Sequence, residues 1–205
     1  MRAHSNKTYL VHSFIVILCM LFSSNANAQN TLTDFIKRLK LEIVSVDKIT
    51  SEVSMQQYVS SLSKVSSNKG KFRYERPGMI LLDFENGDYI RMTAKKFTMK
   101  NGGRVSSLKS ASTPVIKEMS LLFSACMTGD FEQLHSFFQM DYHSNVTDCI
   151  LVLRPLDRKS NRYIKDITIE FNRQDLTINT IHINDNSGDW SEYRFFNKHL
   201  INAGD

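Results

Sequence analysis

Proline is scarce in this chain: 3 residues in 205, at positions 77, 114 and 155. Cysteine is equally rare, with 3 residues, and tryptophan occurs once. So few cysteines exclude a disulfide-stapled scaffold, and a core must carry the fold instead. Of the 6 histidines, His135, His143, His182 and His199 lie beyond the first 28 residues and lack metal-ligand spacing. No Gly-x-Ser-x-Gly elbow and no phosphate-cradling glycine loop occurs. Neither Cys126 nor Cys149 has a neighbouring basic residue to activate its thiol. The carboxylates Asp83, Glu85 and Asp88 gather at a turn, where solvated polarity accounts for them. No catalytic constellation, metal site or cofactor motif emerges, and the chain does not read as an enzyme.

A long hydrophobic run is missing too. The longest apolar stretch, Tyr9 to Phe22, is shorter than the ~20 residues a membrane helix needs. Preceded by Arg2 and Lys7 and followed by Ala26-Asn27-Ala28, it reads as a cleaved secretory signal over residues 1–28. Val16-Ile17-Leu18 before Cys19 are too bulky for lipid attachment at that cysteine. The remaining residues 29–205 form one domain with a substantial core. Their charge, 24 basic against 21 acidic side chains, is only slightly positive and spread along the chain. Nucleic acid would require a clustered basic stripe, so it is excluded as a partner. Two cysteines remain in a disulfide-permitting compartment, each on an apolar face, and two buried thiols are expected ahead of one bridge.

What is present is alternation. In Gly70-Lys71-Phe72-Arg73-Tyr74-Glu75-Arg76-Pro77 the residues Phe72, Tyr74 and Arg76 share one face of a strand. Ile80, Leu82 and Phe84 continue the apolar face in the next strand, and Asn86-Gly87-Asp88 closes a hairpin. A period-two stretch from Ile49 to Leu62 is expected to be a long strand or a bent pair, with a turn at Ser66 to Gly70. Tyr89 to Thr93 and Phe97 to Lys100 are further short strands of a meander. Five more strands are expected near 138–143, 149–154, 164–171, 176–184 and 190–196.

Helical periodicity occurs in three places. Leu32, Phe35, Ile36 and Leu39 mark a short opening helix. After a polar loop from Ser106 to Ser112, Thr113 and Pro114 start a second, with an apolar stripe of Val115, Met119, Leu122, Phe123, Cys126 and Met127 and a stop at Gly129. A shorter helical or irregular piece carries Phe131, Leu134, Phe137 and Phe138. Ten or eleven antiparallel strands against two or three helices make an α+β, mainly β, domain, and so large a sheet must curl. Its concave apolar face is then covered by the helices or filled by a ligand.

The series Ser67 to Pro77, Asn86-Gly87-Asp88, the helix ending Gly129-Asp130-Phe131, Leu151-Val152-Leu153-Arg154-Pro155 and Ile183 to Phe196 resembles the periplasmic outer-membrane lipoprotein carrier family (LolA-like). Many members carry Phe-x-Gln where this chain has Val53-Ser54-Met55, with Gln56 and Gln57 adjacent. The resemblance implies a curved sheet forming an incompletely closed β-barrel covered by helices that act as a lid. It further implies a soluble, monomeric periplasmic carrier that shields the acyl chains of lipoproteins. An inner-membrane release complex and an outer-membrane receptor would be its partners. Binding or sensing of another acylated lipid or glycolipid is the alternative. Cavity and lid would draw on Phe72, Tyr74, Arg76, Ile80, Leu82, Phe84, Val115, Met119, Leu122 and Phe123. In the family the arginine of the Arg-Pro pair holds the lid. On chemistry alone, Arg76 either bonds the free carbonyls of a helix C-terminus or runs its stem over the aromatics to solvent.

Cleavage after Ala28 leads to a mature chain that starts at Gln29 and carries no lipid. Intact-mass measurement checks this, and a diacylglycerol adduct would point to an anchored receptor instead.

Overall fold

A computed structural model describes residues 32–93, 95–109, 114–157 and 163–204. The expected signal segment and Thr31 lie outside them, as do Ser110 to Thr113.

Eleven strands form one antiparallel sheet, and their order follows from two meanders placed side by side. The first runs through β1 (Val46–Val59), β2 (Lys64–Glu75), β3 (Met79–Phe84), β4 (Tyr89–Met92), β5 (Lys96–Asn101) and β6 (Arg104–Lys109). The second runs through β7 (Phe138–Ser144), β8 (Asp148–Pro155), β9 (Asp166–Asn172), β10 (Ile178–Asn184) and β11 (Trp190–Asn202). Pairing of β1 with β11 joins them, giving the order β6-β5-β4-β3-β2-β1-β11-β10-β9-β8-β7. The edges β6 and β7 do not pair, so the barrel stays open.

The first helix, α1 (residues 32–43), runs one turn beyond the expected Leu39. Phe35, Leu39 and Ile43 repeat every four residues on its buried face, and Ile43 extends the stripe the sequence reading stopped short of. Each such buried side chain contributes about 1.5–3 kcal/mol of apolar transfer. The second helix, α2 (Pro114–Thr128), connects β6 to β7, the two free edges. A connection between opposite edges of a curled sheet has to cross its mouth, and this one does so as a helix. Leu122, Phe123, Cys126 and Met127 enter the core. A 3-10 turn at Glu132–Ser136 buries Leu134 before β7 begins.

Two expectations are corrected. Ser66 to Gly70 is not a turn but part of β2, paired residue for residue with Val53 to Gln57 of β1. The reversal comes earlier, in a 3-10 turn at Ser60–Leu62 that ends on Ser63 in the left-handed region. Serine and asparagine there sit on the exposed end of a hairpin, where a ladder tolerates polar side chains on both faces. The expected loop over Ser106 to Ser112 likewise begins as strand, because Arg104 to Lys109 pairs with β5 across Asn101-Gly102-Gly103.

One apolar cluster gathers the inner faces of both meanders and both helices. Phe72 of β2 meets Phe195 of β11 edge-on at 5.2 Å, and Phe35 of α1 packs on Tyr142 of β7 at 5.0 Å and on Phe171 of β9 at 5.1 Å. The first helix is thereby seated against the second meander. Gly129, in the left-handed conformation at φ +71°, caps α2 through its N–H to the Ala125 carbonyl at 2.8 Å. A Cβ at that position would stand 2.6 Å from the Lys40 Cα, so the end of α2 rests directly on the α1 backbone.

Gly129→Ala should therefore cost about 3 kcal/mol or more, combining left-handed strain with a backbone collision. Gly102→Ala, at φ +56° with open space around it, should cost only about 1 kcal/mol. Urea denaturation of both variants checks the difference, and equal losses would mean that the helices do not touch there.

Candidate functional site

Beneath α1 and the end of α2 lies a cavity of about 270 Å³. Leu39 and Ile43 of α1, Cys126 and Met127 of α2, Val46 and Ile49 of β1, Phe72 of β2 and Phe195 of β11 form its apolar wall, with Leu176 and Ile178 from the β9–β10 side. The polar groups among its lining side chains include Ser51, Thr177, Lys198 and the carboxylates of Glu42 and Asp175.

Of the ten residues expected to form cavity and lid, Phe72 alone among those described lines this cavity, beside Leu39, Cys126 and Met127 from the two helical stripes. Tyr74, Ile80 and Leu82 are buried on the same inner face of β2 and β3, where Phe72 lies opposite Leu82 and Tyr74 opposite Ile80. Phe84 is buried too but borders a second, more polar hollow of about 340 Å³ at the far end of the concave face, with Met55, Ile90, Met99 and Tyr193. Leu122 and Phe123 are core, and Met119 is partly buried against it. Val115 belongs to α2, but its side chain lies outside the described residues.

Arg76 resolves into a combination of its two expected environments. It is not buried: its side chain keeps 39% exposure. Yet its guanidinium still binds a helix end. Nη2 donates to the carbonyls of Ile43 at 2.9 Å and Val44 at 2.6 Å, and Nε donates to Val46 at 2.9 Å. These carbonyls lie where α1 stops and β1 starts, at the negative end of the helix. Asp47, 3.5 Å from Nε, balances the charge. The clamped helix is α1: the Ile43 and Val44 carbonyls that Arg76 holds belong to its C-terminal end. Beside it, Tyr74 is 1% exposed and its hydroxyl has no hydrogen-bond partner among the described residues. Burial raises its pKa, and the positive charge of Arg76 opposes the rise.

The wall residues from β11 were missed because a β-bulge decides which side they face. Thr50 pairs with His199, but Glu52 pairs with Phe196, so β11 carries one extra residue between them. Asn197, at φ +52°, takes the left-handed turn, and its side-chain amide donates to Glu52 Oε1 at 2.8 Å. Phe195 points inward above the bulge, while Phe196 and Asn197 are both exposed. Lys198 and Leu200 then line the cavity, whereas plain alternation would have sent them outward. Asn in a strand is the only signal of this in the sequence.

Cys126 and Cys149 are both buried and unbridged. Burial pushes the Cys126 thiol up to about 12 from an ordinary 9.0. Burial, and then its hydrogen bond to Cys149 at 3.3 Å, pushes the Tyr142 hydroxyl up to about 12 as well. Among the described residues no group of three or more His, Cys, Asp or Glu could hold a metal ion. No described helix is long and apolar enough to cross a membrane.

No family model matches the chain, and no curated protein does either. Solved structures do. A LolA superfamily protein from Nitrosomonas europaea is 9% identical, with 83% of this chain and 94% of that one covered at a TM-score of 0.40. The lipoprotein LppX of Mycobacterium tuberculosis is 12% identical, with 83% and 96% covered at 0.40. A conserved protein from Thermus thermophilus is 7% identical, with 84% and 89% covered at 0.50. At 7% identity the last of these likenesses concerns the fold alone.

Because the folded state prefers the protonated Cys126 thiol, stability is intact below pH 9.0 and falls as pH rises toward about 12. At pH 10.5 the thiol's share of the loss is about 2 kcal/mol. Urea midpoints at pH 8 and 10.5 should show a smaller drop for Cys126→Ala than for the unmodified chain, and equal drops would show that the thiol is not a buried titrating group.

Proposed function

We propose that this protein is a soluble, monomeric periplasmic carrier that shields acyl chains of lipoproteins on their way toward the outer membrane. The observation that supports it is the apolar cavity under α1 and α2, roofed by helices and floored by the concave sheet. A cleaved signal over residues 1–28 would deliver residues 29–205 to that compartment as one domain. Family resemblance adds an inner-membrane release complex that loads it and an outer-membrane receptor that unloads it.

The physical difficulty for such a carrier is letting go. Each buried methylene gains about 0.8 kcal/mol, so a chain of about 15 gains on the order of 12 kcal/mol. Cargo that must displace a lid forfeits part of that gain, because the closed empty state competes with the loaded one. In this reading Arg76 sets the competition: its bonds to Ile43, Val44 and Val46 hold the end of α1 in place. Phe72, Met127 and Ile43 would line the bound chain, and Met119, Leu122 and Phe123 would carry α2's side of the lid.

A second reading is favoured by size. At about 270 Å³ the cavity sits just below the ~300–1,000 Å³ of ordinary small-molecule sites. That suits one chain better than three, as in a binder or sensor of a singly acylated lipid or glycolipid. Lipid extracted from protein purified from the periplasm distinguishes the two by mass spectrometry: triacylated peptide supports the carrier and a singly acylated lipid the binder.

Arg76→Leu should fold, losing about 1–2 kcal/mol because its bonds are half-exposed. The same free energy is removed from the closed lid, so cargo should enter and then leave about 5- to 30-fold more slowly. Thermal stability measured together with transfer of an acylated lipoprotein to acceptor membranes checks this. Unchanged transfer in the folded variant would take Arg76 out of the mechanism.

A further inference from the structure

Two hydrogen-bond donors, Ser51 and Lys198, line the cavity beside its apolar residues, and both come from the bulge region of the β1–β11 pair. Ser51 is 7% exposed, lines the cavity, and its hydroxyl has no partner among the described residues. A buried hydroxyl left unpaired costs about 1–3 kcal/mol, so its retention calls for a reason. It lies on β1 between Thr50 and Glu52, opposite the extra residue of β11. Lys198 reaches the same cavity from across the bulge. Its ammonium donates to the Ile178 carbonyl at 3.2 Å and to Asn179 Oδ1 at 2.6 Å. An ammonium carries three N–H donors, and these bonds use two.

The surrounding charge restricts what the donors can hold. Glu42 and Asp175 also line the cavity, against the single positive charge of Lys198. Asp175 is fixed there, because its Oδ1 accepts from the Thr177 hydroxyl at 2.6 Å and the Thr177 N–H at 2.9 Å. A carboxylate or phosphate head would thus meet two like charges for one opposite one. A neutral acceptor meets no such opposition. Burial in this wall also lowers the pKa of Lys198, with Asp175 holding it up in part, as expected of a cation poorly supplied with solvent.

We infer that the cavity recognises the carbonyl of an acyl chain in ester or amide linkage, held by Ser51 and Lys198, and discriminates against the free fatty acid. This rests on the acyl-binding reading above and adds the linkage chemistry to it. The chain lies along Phe72, Met127 and Phe195, and the carbonyl sits at the β1–β11 bulge, from whose two strands Ser51 and Lys198 line the cavity. Asn197 is the positioning residue, since its left-handed conformation turns Lys198 inward.

Displacement of the neutral dye N-phenyl-1-naphthylamine by methyl palmitate, palmitate and hexadecane tests it in the full mature chain. Methyl palmitate should displace the dye at about tenfold lower concentration than hexadecane and at lower concentration than palmitate. Ser51→Ala removes only an unpartnered hydroxyl and should fold; it should cut the preference for ester over hexadecane by about three- to tenfold. Lys198→Met should cut it similarly, and Lys198→Arg should restore part of it. An unchanged ester-to-hexadecane ratio in Ser51→Ala, or palmitate bound better than its ester, overturns the inference while leaving acyl binding standing. Failure of every chain to displace the dye overturns both.

Discussion

Burial of the concave face is the constraint from which the architecture follows. The antiparallel sheet presents one continuous apolar surface from β4 to β7, and water against that surface would cost about 25 cal/mol for every Å² left exposed. Two helices relieve the cost, and they reach their places by different means. The second is delivered by chain connection, since β6 and β7 are opposite edges and the link between them passes over the mouth. The first precedes the sheet in sequence and is held by particular contacts: Phe35 on Tyr142 and Phe171 at its start, Arg76 on the Ile43 and Val44 carbonyls at its end. One helix is thus covalently committed to the mouth, and the other is pinned to it by contacts at its two ends.

The two helices meet at Gly129, where the end of one lies on the backbone of the other. Displacing either therefore disturbs both, and the cavity wall contains Ile43 from one and Cys126 from the other. Packing is incomplete just below this junction, on the side of the sheet where β1 and β11 pair. That seam is also the strand pairing that joins the two meanders, and it is irregular at two points, near Val46/Lys48 and Thr50/Glu52. The hollow lies over the least regular ladder of the sheet.

Much of this could be read in the residues, because it rests on period. The alternation of Phe72, Tyr74, Ile80, Leu82 and Phe84 placed the inner face correctly, and the four-residue spacing from Leu122 to Met127 identified the core-facing side of α2. The turn of the first hairpin was misplaced because Ser66, Ser67 and Asn68 have the composition of a loop. Only pairing with β1 makes them strand. The cavity was less legible than the core. An apolar residue that fills space and one that borders a void look alike in sequence, which is why Phe72 and Tyr74 were grouped together although only Phe72 meets the hollow. Lys198 and Leu200 could not be assigned at all without the bulge at Asn197, since a shift of one residue reverses every side chain beyond it.

The unpaired edges have a mechanical consequence. In a closed barrel the girth is fixed by strand number and shear, and widening it requires breaking a ladder. Here β6 and β7 end the sheet without meeting, so among the described residues no hoop of hydrogen bonds closes the sheet on itself. The sheet can uncurl or tighten through small changes of twist spread over ten strand pairs, each keeping its bonds. Interior diameter is then set by whatever fills the interior, and a structure of this kind conforms to its contents much as a loosely rolled sheet of paper conforms to a pencil.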